Sequence, residues 1–341
     1  MEYIKNCAKA LCTAAGVGGE PAVAEIAKSL LHSYTDDIST DAMGNITAVI
    51  HSNDSMAPVV LLEAHMDEIG FVVTGITENG FLHVAPCGGV DKRCLASTPV
   101  TVFGANVLNG VFCSTPPHLS KDKENAVTDD GALYIDVGLS ANEVKAAVPL
   151  GSRVSFAANF AEMAGNCITS KALDNRAGMT AVLYALSLLK DKQIPYTIKI
   201  LFTVQEELGC RGAKAGSFAA DADMAIVTDV SFAHTPDSKQ ENCGELGKGA
   251  MIGMGPTLSY ALYTQMLDIA IQKHIPYQLE VTGGKTGTDA DTISISRSGI
   301  PTLLLSIPLR YMHTPIETVN CHDIAAVGEC MAAFIEKGAV Q

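Results

Sequence analysis

Tryptophan is absent from the 341-residue chain and aromatic residues make up only 6% of it, so its core has to be built from Ala, Val, Ile and Leu. Charged residues are sparse as well, 18% against 48% hydrophobic, which excludes a disordered chain. Positive charge is the scarcest: 23 Lys and Arg stand against 37 Asp and Glu, a formal charge of −14. That balance argues against a nucleic-acid backbone or an anionic membrane as partner. No apolar run approaches the roughly 20 residues that cross a bilayer as a helix; residues 301–308 form one of the longest. The N-terminus, Met1-Glu2-Tyr3-Ile4-Lys5, lacks the basic-then-apolar plan of a secretion signal. No two of the ten cysteines form a Cys-x-x-Cys pair, so they read as reduced thiols of a cytoplasmic protein.

A chain of this length holds two domains, or one domain carrying an insertion. Apolar spacing predicts helices over residues 3–15 and 21–32, then strands at 37–38, 46–50 and 58–62. From about 69 to 160 the texture changes to short alternating strands, at 70–76, 81–84, 100–103, 110–113, 133–137 and 153–156, with one helix over 141–147. Regular short strands between turns predict a β-barrel or sandwich. Residues 69–160 therefore read as a β-rich domain inserted into a second one made of 1–68 and 161–341. The polar loop 121–130 reads as its solvated surface. After Gly165 helices (175–190, 212–220, 258–273, 289–298, 323–337) alternate with strands (196–203, 224–228, 277–282, 301–306). The class is α/β, a mixed central sheet flanked by helices.

Functional groups of such sheets collect beyond the carboxyl ends of strands, and five of these points carry metal-capable side chains. His65 and Asp67 follow the strand at 58–62, and Asp174 opens a helix. Glu206 and Glu207 follow 196–203, Asp229 follows 224–228, and His313 follows 301–306. Each alone has a plainer reading: a chance His-x-Asp pair, a helix cap, a turn residue, a satisfied histidine. Recurrence lifts the set. Two divalent ions with three protein ligands each need six positions, which His65, Asp174, Glu207, Asp229 and His313 supply if Asp174 bridges. A shared water would complete the coordination, and a hydroxide would neutralise the remaining positive charge. Asp67 is placed to hold the second imidazole nitrogen of His65, and Glu206, beside the metals, to take a proton from the water. Cys210 reads as a packing residue before a nucleophile. The other histidines (His32, His51, His83, His118, His234, His274 and His322) read as structural or surface, with His118 and His234 the first to reconsider.

These stretches also occur together in a known family. Glu63-Ala64-His65-Met66-Asp67-Glu68-Ile69-Gly70, Ala172-Leu173-Asp174-Asn175-Arg176-Ala177-Gly178 and the segment from Thr203 to Ala213 are three of them. The others are Thr228-Asp229-Val230, Gly287-Thr288-Asp289-Ala290 and Arg310-Tyr311-Met312-His313-Thr314-Pro315-Ile316-Glu317. In this order, along almost the whole chain, they resemble the tetrahedral (TET-type) di-metal aminopeptidases. That family includes glutamyl and deblocking aminopeptidases, and some members carry an endoglucanase name. The resemblance implies metal ligands at His65, Asp174 (bridging), Glu207, Asp229 and His313, with Glu206 as general base and Asp67 behind His65. It decides between the paired glutamates, which the pair itself does not. It further implies zinc or cobalt, dimerisation through the β-rich insert, and dimers assembling into a hollow tetrahedral dodecamer that admits peptides but not folded proteins. Asp291 departs from the pattern: an extra carboxylate by the substrate-side pocket, it either favours a basic first residue or faces solvent.

The expectation is thus a metal-dependent aminopeptidase acting on peptides with a free N-terminus. The rivals are a related di-zinc N-acyl amino-acid deacylase or desuccinylase, and a non-catalytic peptide- or metal-binding scaffold. A scaffold would be expected to lack a ligand or the base, and neither is missing here. A glycosidase would need two carboxylates along a sugar groove and no histidines.

Overall fold

The computed structural model describes residues 1–19, 21–115, 133–239 and 243–338; loop 121–130 and His118 lie outside the described residues. Strands β1 (Ile38–Thr40), β2 (Ile46–Ile50) and β3 (Val59–His65) open a large sheet. The next six strands form a separate closed barrel: β4 (Gly70–Ile76), β5 (Leu82–Cys87), β6 (Pro99–Phe103), β7 (Val107–Phe112), β8 (Tyr134–Asp136) and β9 (Arg153–Phe156). The chain then returns to the sheet with β10 (Ala161–Glu162), β11 (Cys167–Ser170), β12 (Thr197–Thr203) and β13 (Met224–Phe232). It ends with β14 (Ala250–Met254), β15 (Tyr277–Val281), β16 (Thr302–Arg310) and β17 (Glu317–Asn320). Among the described residues the sheet has eleven strands, ordered β1-β2-β12-β3-β13-β16-β17-β11-β10, with β14 on β16 and β15 on β14. Its centre, β12-β3-β13-β16, is parallel.

The composition explains the layering. Val59-Val60-Leu61-Leu62 has no polar face, as suits a parallel strand covered on both sides. One side carries α1 (Glu2–Thr13), α2 (Pro21–Leu31), α4 (Leu173–Leu189), α6 (Tyr260–Lys273) and α8 (Cys321–Lys337), in one aliphatic core. α3 (Ala141–Ala147) belongs to the barrel body, while α5 (Arg211–Ala220) and α7 (Ala290–Ile293) cover the other sheet face over Leu61, Leu201, Val227 and Leu304. Small residues bring α4 and α8 close: a Cβ on Gly328 would lie 2.8 Å from the Ala181 carbonyl oxygen. The barrel packs its own core, with Phe71 4.7 Å from Phe112 and 5.7 Å from Phe156 between ring centres.

Several strands run on past their expected ends, among them β3, whose last residue is His65, β16, which reaches Arg310, and β13. β13 continues through Val230-Ser231-Phe232, paired with Ile307–Leu309 of β16, so Asp229 lies within the strand and not after it. A single buried carboxylate interrupts the apolar pattern without interrupting the backbone ladder. β14, β11 and β17 were not legible: the first lies among glycines, and the other two are only four residues long.

A buried ion cluster pins the passage between sheet and barrel. Glu68, just beyond β3, holds the Lys171 ammonium at 2.6 Å and faces the Arg176 guanidinium at 3.5 Å. Arg176 also donates to the carbonyls of Leu11 and Ala14, both at 2.6 Å, and the Gly16 amide donates to Glu68 at 2.8 Å.

Candidate metal centre

Strand register sets the site. Thr203 pairs with His65 across β12 and β3, so the chain leaving β12 delivers Glu206 and Glu207 beside the histidine. Asp229 projects from neighbouring β13, Asp174 opens α4, and His313 sits in the turn between β16 and β17. The turn after β12 is tight: a Cβ on Gly212 would lie 2.2 Å from the Val204 carbonyl oxygen, which accounts for the glycine in Glu206-Glu207-Leu208-Gly209-Cys210-Arg211-Gly212. Left-handed backbone recurs around the site, at Ala172, Gln205, Cys210, Tyr311 and His313. Each such residue costs about 1–2 kcal/mol, offset by the surrounding packing; concentration at one place is typical of functional sites.

All five expected ligands come together, and Asp174 stands at their centre. Its Oδ1 lies 3.0 Å from His65 Nε2, and its Oδ2 lies 3.4 Å from His313 Nε2. Asp229 Oδ1 is 3.7 Å from His65 Nε2, and Glu207 Oε1 is 3.4 Å from His313 Nε2. The side chains thus make two triads, His65-Asp174-Asp229 and Asp174-Glu207-His313, each with its donor atoms within 4.8 Å of one another. Glu206 stands beside the first of them, its Oε2 4.0 Å from His65 Nε2.

Both imidazoles turn Nδ1 toward a carbonyl oxygen, His65 toward that of Asp67 at 3.3 Å and His313 toward that of Gly89 at 2.9 Å. A carbonyl only accepts, so each Nδ1 carries the hydrogen, and a neutral ring offers Nε2 as a lone pair. Those lone pairs face carboxylate oxygens. Such an arrangement is satisfied by a proton on Nε2 or by a cation between the two, so the donor set fits divalent metal.

Asp67 does more than stand behind His65. Its carboxylate is 3.6 Å from His65 Nδ1 but accepts from the amides of Glu206 (3.0 Å) and Glu207 (3.3 Å). It therefore fixes the backbone of the paired glutamates, while its carbonyl orients the ring. Glu317 does the same on the far side, accepting from the amides of Asp174 (3.0 Å) and His313 (2.9 Å). Sequence reasoning gave Glu317 no role, although it closes one of the recurring stretches.

Charge in the cluster is one-sided. Burial alone would lower His65 and His313, yet their carboxylate partners outweigh it and hold both up, His313 to about 11. Burial would raise Asp174, but its bonds to the two histidines bring it below the ordinary carboxylate range. Burial raises Asp229 and Glu207, partly opposed by His65 and His313. Burial pushes Glu206 up to about 7, opposed by His65 and helped by Asp289 and Glu207. Beneath lie two further acids that the sequence did not single out as a pair. The Thr203 hydroxyl is 2.9 Å from Glu63 and 2.7 Å from Asp289, and burial holds both above their usual range. The Cys210 thiol lies 3.6 Å from Glu206 and is pushed far up by burial and by Asp289 and Glu206, the opposite of what a nucleophile needs.

The cluster opens into a cavity of about 660 Å³ that also reaches Glu280, Lys285 and Asp291. Of the remaining histidines, none among the described residues lines it; His234, for one, contacts Ser238. Asp291 neither meets a charge nor faces open solvent. Its oxygens accept from the Thr286 amide and hydroxyl at 3.0 Å and from the Gly287 amide at 3.1 Å, tying the loop before α7.

Known proteins share this architecture. A family model for the M42 glutamyl aminopeptidases matches residues 44–329. A lysyl aminopeptidase of Pyrococcus furiosus is 34% identical over 322 residues, spanning 92% of this chain and 91% of its own. The structure of an aminopeptidase from the archaeon Desulfurococcus kamchatkensis superposes with a TM-score of 0.91 at 32% identity, covering 99% of this chain and 95% of that one. The Pyrococcus horikoshii TET1 peptidase, which can assemble into a tetrahedron or a large octahedral shell, gives 0.83 at 30% identity over 97% and 99%.

Proposed function

The chain belongs to the M42 glutamyl aminopeptidase family, and on that premise we propose how its residues release the first residue of a peptide. The observation that carries the reading is the division of Asp174, one oxygen toward each triad. His65, Asp174 and Asp229 would hold one divalent cation, and Asp174, Glu207 and His313 a second, with zinc or cobalt as the metals. Bound there, two such cations would supply Lewis acidity, a lowered pKa for a water and polarisation of the scissile carbonyl.

The chain's own groups do the rest. Glu206 takes a proton from the attacking water and delivers it to the leaving amine. Its Oε2 lies 4.0 Å from His65 Nε2, so the carboxylate stands beside the place where the water would be held. Asp67 and Glu317 hold the backbone of the ligands, so the cluster is preorganised. The free amine of the peptide would be held as a neutral donor near the cations, which favours an unblocked N-terminus over N-acyl amino acids.

The division into 1–68 with 161–341 and 69–160 is supported by separate cores. We assign the 69–160 barrel the role of dimerisation domain, with dimers assembling further, as a dodecamer, in the cytoplasm. No helix among the described residues is long and apolar enough to cross a membrane.

The test compares wild type and Glu206→Gln, each loaded with zinc or cobalt after chelation, on aminoacyl anilides and N-acyl amino acids. The expected outcome is anilide turnover that vanishes on chelation and returns on reloading. In Glu206→Gln turnover falls by about 10²–10⁴-fold, while metal content stays at two ions per subunit. Near-normal turnover of the metal-replete variant would remove Glu206 from its role. Activity on N-acyl amino acids alone would replace the substrate class.

A further inference from the structure

We infer that Glu280 reads the side chain of the peptide's first residue and that this enzyme prefers a basic one, lysine or arginine; the inference rests on the aminopeptidase reading above. Glu280 lies on β15 and lines the same cavity as His65, Asp174 and Glu206. Its Oε1 accepts from the Ser231 hydroxyl at 2.5 Å and its Oε2 from the Ser306 hydroxyl at 2.6 Å. Both serines are tied to the metal centre by strand register. Ser306 pairs with Asp229 across β16 and β13, and Ser231 stands two residues beyond Asp229 on the same strand face. Ser231 stands about 7 Å along the strand from Asp229 and Ser306 directly across from it, so the carboxylate that both hydroxyls hold lies beside the metal centre in the same cavity. An extended lysine, at about 1.5 Å per bond, spans roughly 6 Å from Cα to ammonium, a reach of the same order.

The chemistry matches as well. Two hydroxyls orient the carboxylate without neutralising it, each spending its one hydrogen, and the oxygens keep further lone pairs for an ammonium or guanidinium. Among the described residues Glu280 has no ion-pair partner. Phe232 and Met312 line the same cavity and offer apolar surface to the methylene stem. The other charged groups nearby are less suited. Asp291 is spent on the amides of its own loop. Lys285, which would favour an acidic residue, is exposed at the rim, where an ion pair is worth little.

The test measures kcat/KM of the metal-loaded enzyme on lysyl, arginyl, leucyl and glutamyl p-nitroanilides. Wild type is compared with Glu280→Gln, Glu280→Asp, Glu280→Lys and Lys285→Gln. Wild type is expected to favour lysyl over leucyl substrate. In Glu280→Gln that ratio falls by about tenfold or more, mainly through KM; Glu280→Asp lowers it less, and Glu280→Lys turns preference toward glutamyl substrate. Using a ratio within each variant separates selectivity from a general loss of active enzyme. The inference is overturned by a wild type that treats lysyl and leucyl substrates alike, by a lysyl preference that survives in Glu280→Gln, or by a glutamyl preference abolished in Lys285→Gln. Leucyl turnover in those cases leaves the aminopeptidase reading standing. No turnover of any anilide with any metal removes both.

Discussion

Two buried clusters of charge lie on either side of Met66 and Asp67, and they are built on opposite plans. At Glu68 one carboxylate meets Lys171 and Arg176, and the surplus N–H groups go to the carbonyls of Leu11 and Ala14. Around His65, four carboxylates (Asp174, Asp229, Glu206 and Glu207) share two imidazoles, and burial pushes three of the four acids upward. Burial of charge is common to both. What distinguishes them is sign: the first cluster sets two cations against one carboxylate and closes on backbone carbonyls except at Arg176 Nη2, which has no hydrogen-bond partner, while the second, left open, has acids in excess and is completed by protons or added cations. The sign of the surplus, more than burial, marks the functional site.

The largest loss is expected on removing the shared carboxylate. Asp174→Ala is expected to lower kcat/KM by about 10⁴-fold or more and to reduce bound metal below two ions per subunit, read by turnover and elemental analysis. Its counterpart is Lys171→Met, which takes from Glu68 its partner at 2.6 Å and leaves only the Arg176 guanidinium at 3.5 Å. Breaking a buried pair this way costs about 3–5 kcal/mol, read as a lower urea midpoint with metal content unchanged. The two variants should exchange phenotypes in neither direction. Metal loss in Lys171→Met would show that the closed cluster also positions the open one.

How much of this the sequence revealed follows the same line. The candidate ligands were legible because mostly apolar runs in the central parallel strands give way to His65, Glu207 and His313 where polar residues are costly, and because Asp174 opens the helix α4. The barrel was legible from its alternation, and β4 falls on the expected residues 70–76. Asp229 was legible as a ligand candidate but misplaced, since a buried acid within a strand looks like a strand end. The roles of Glu317 and Asp67 were hidden or blurred because they work on backbone amides, and such contacts depend on loop geometry instead of residue pattern. Glu280 left no signal at all. It is one polar residue in a sheet-edge strand, and only the pairing of β13 with β16 brings Ser231 and Ser306 beneath it.

A smaller effect is expected of pH on the acid-rich cluster. In chelated protein His313 is held up from 6.5 to about 11. A raised pKa contributes stability that is full below the unfolded value and drains as pH rises through the folded one. Glu206, held up from 4.5 to about 7, has the same sign: its share is full below about 4.5 and is lost by about 7. The Tm of the chelated protein should therefore fall as pH climbs from 5 to 9, by roughly a few degrees. Zinc binds the deprotonated ligands, so zinc-saturated protein should lose less over that range, and its advantage should widen with pH. A Tm of the chelated protein that rises with pH would contradict the arrangement of protons inferred for the open cluster.

The smallest effect is expected at Asp291, and it separates two carboxylates that share one cavity. Asp291→Asn removes a charge but keeps an oxygen for the Thr286 and Gly287 amides, so loosening the loop should cost only about 0.5–1.5 kcal/mol. If its work is confined to those amides, the ratio of lysyl to leucyl turnover should change by less than about threefold, far less than in Glu280→Gln. Equal losses of that ratio in the two variants would mean that selectivity follows the summed negative charge of the cavity wall. A loss confined to Glu280→Gln would mean that it follows one carboxylate held in place by Ser231 and Ser306.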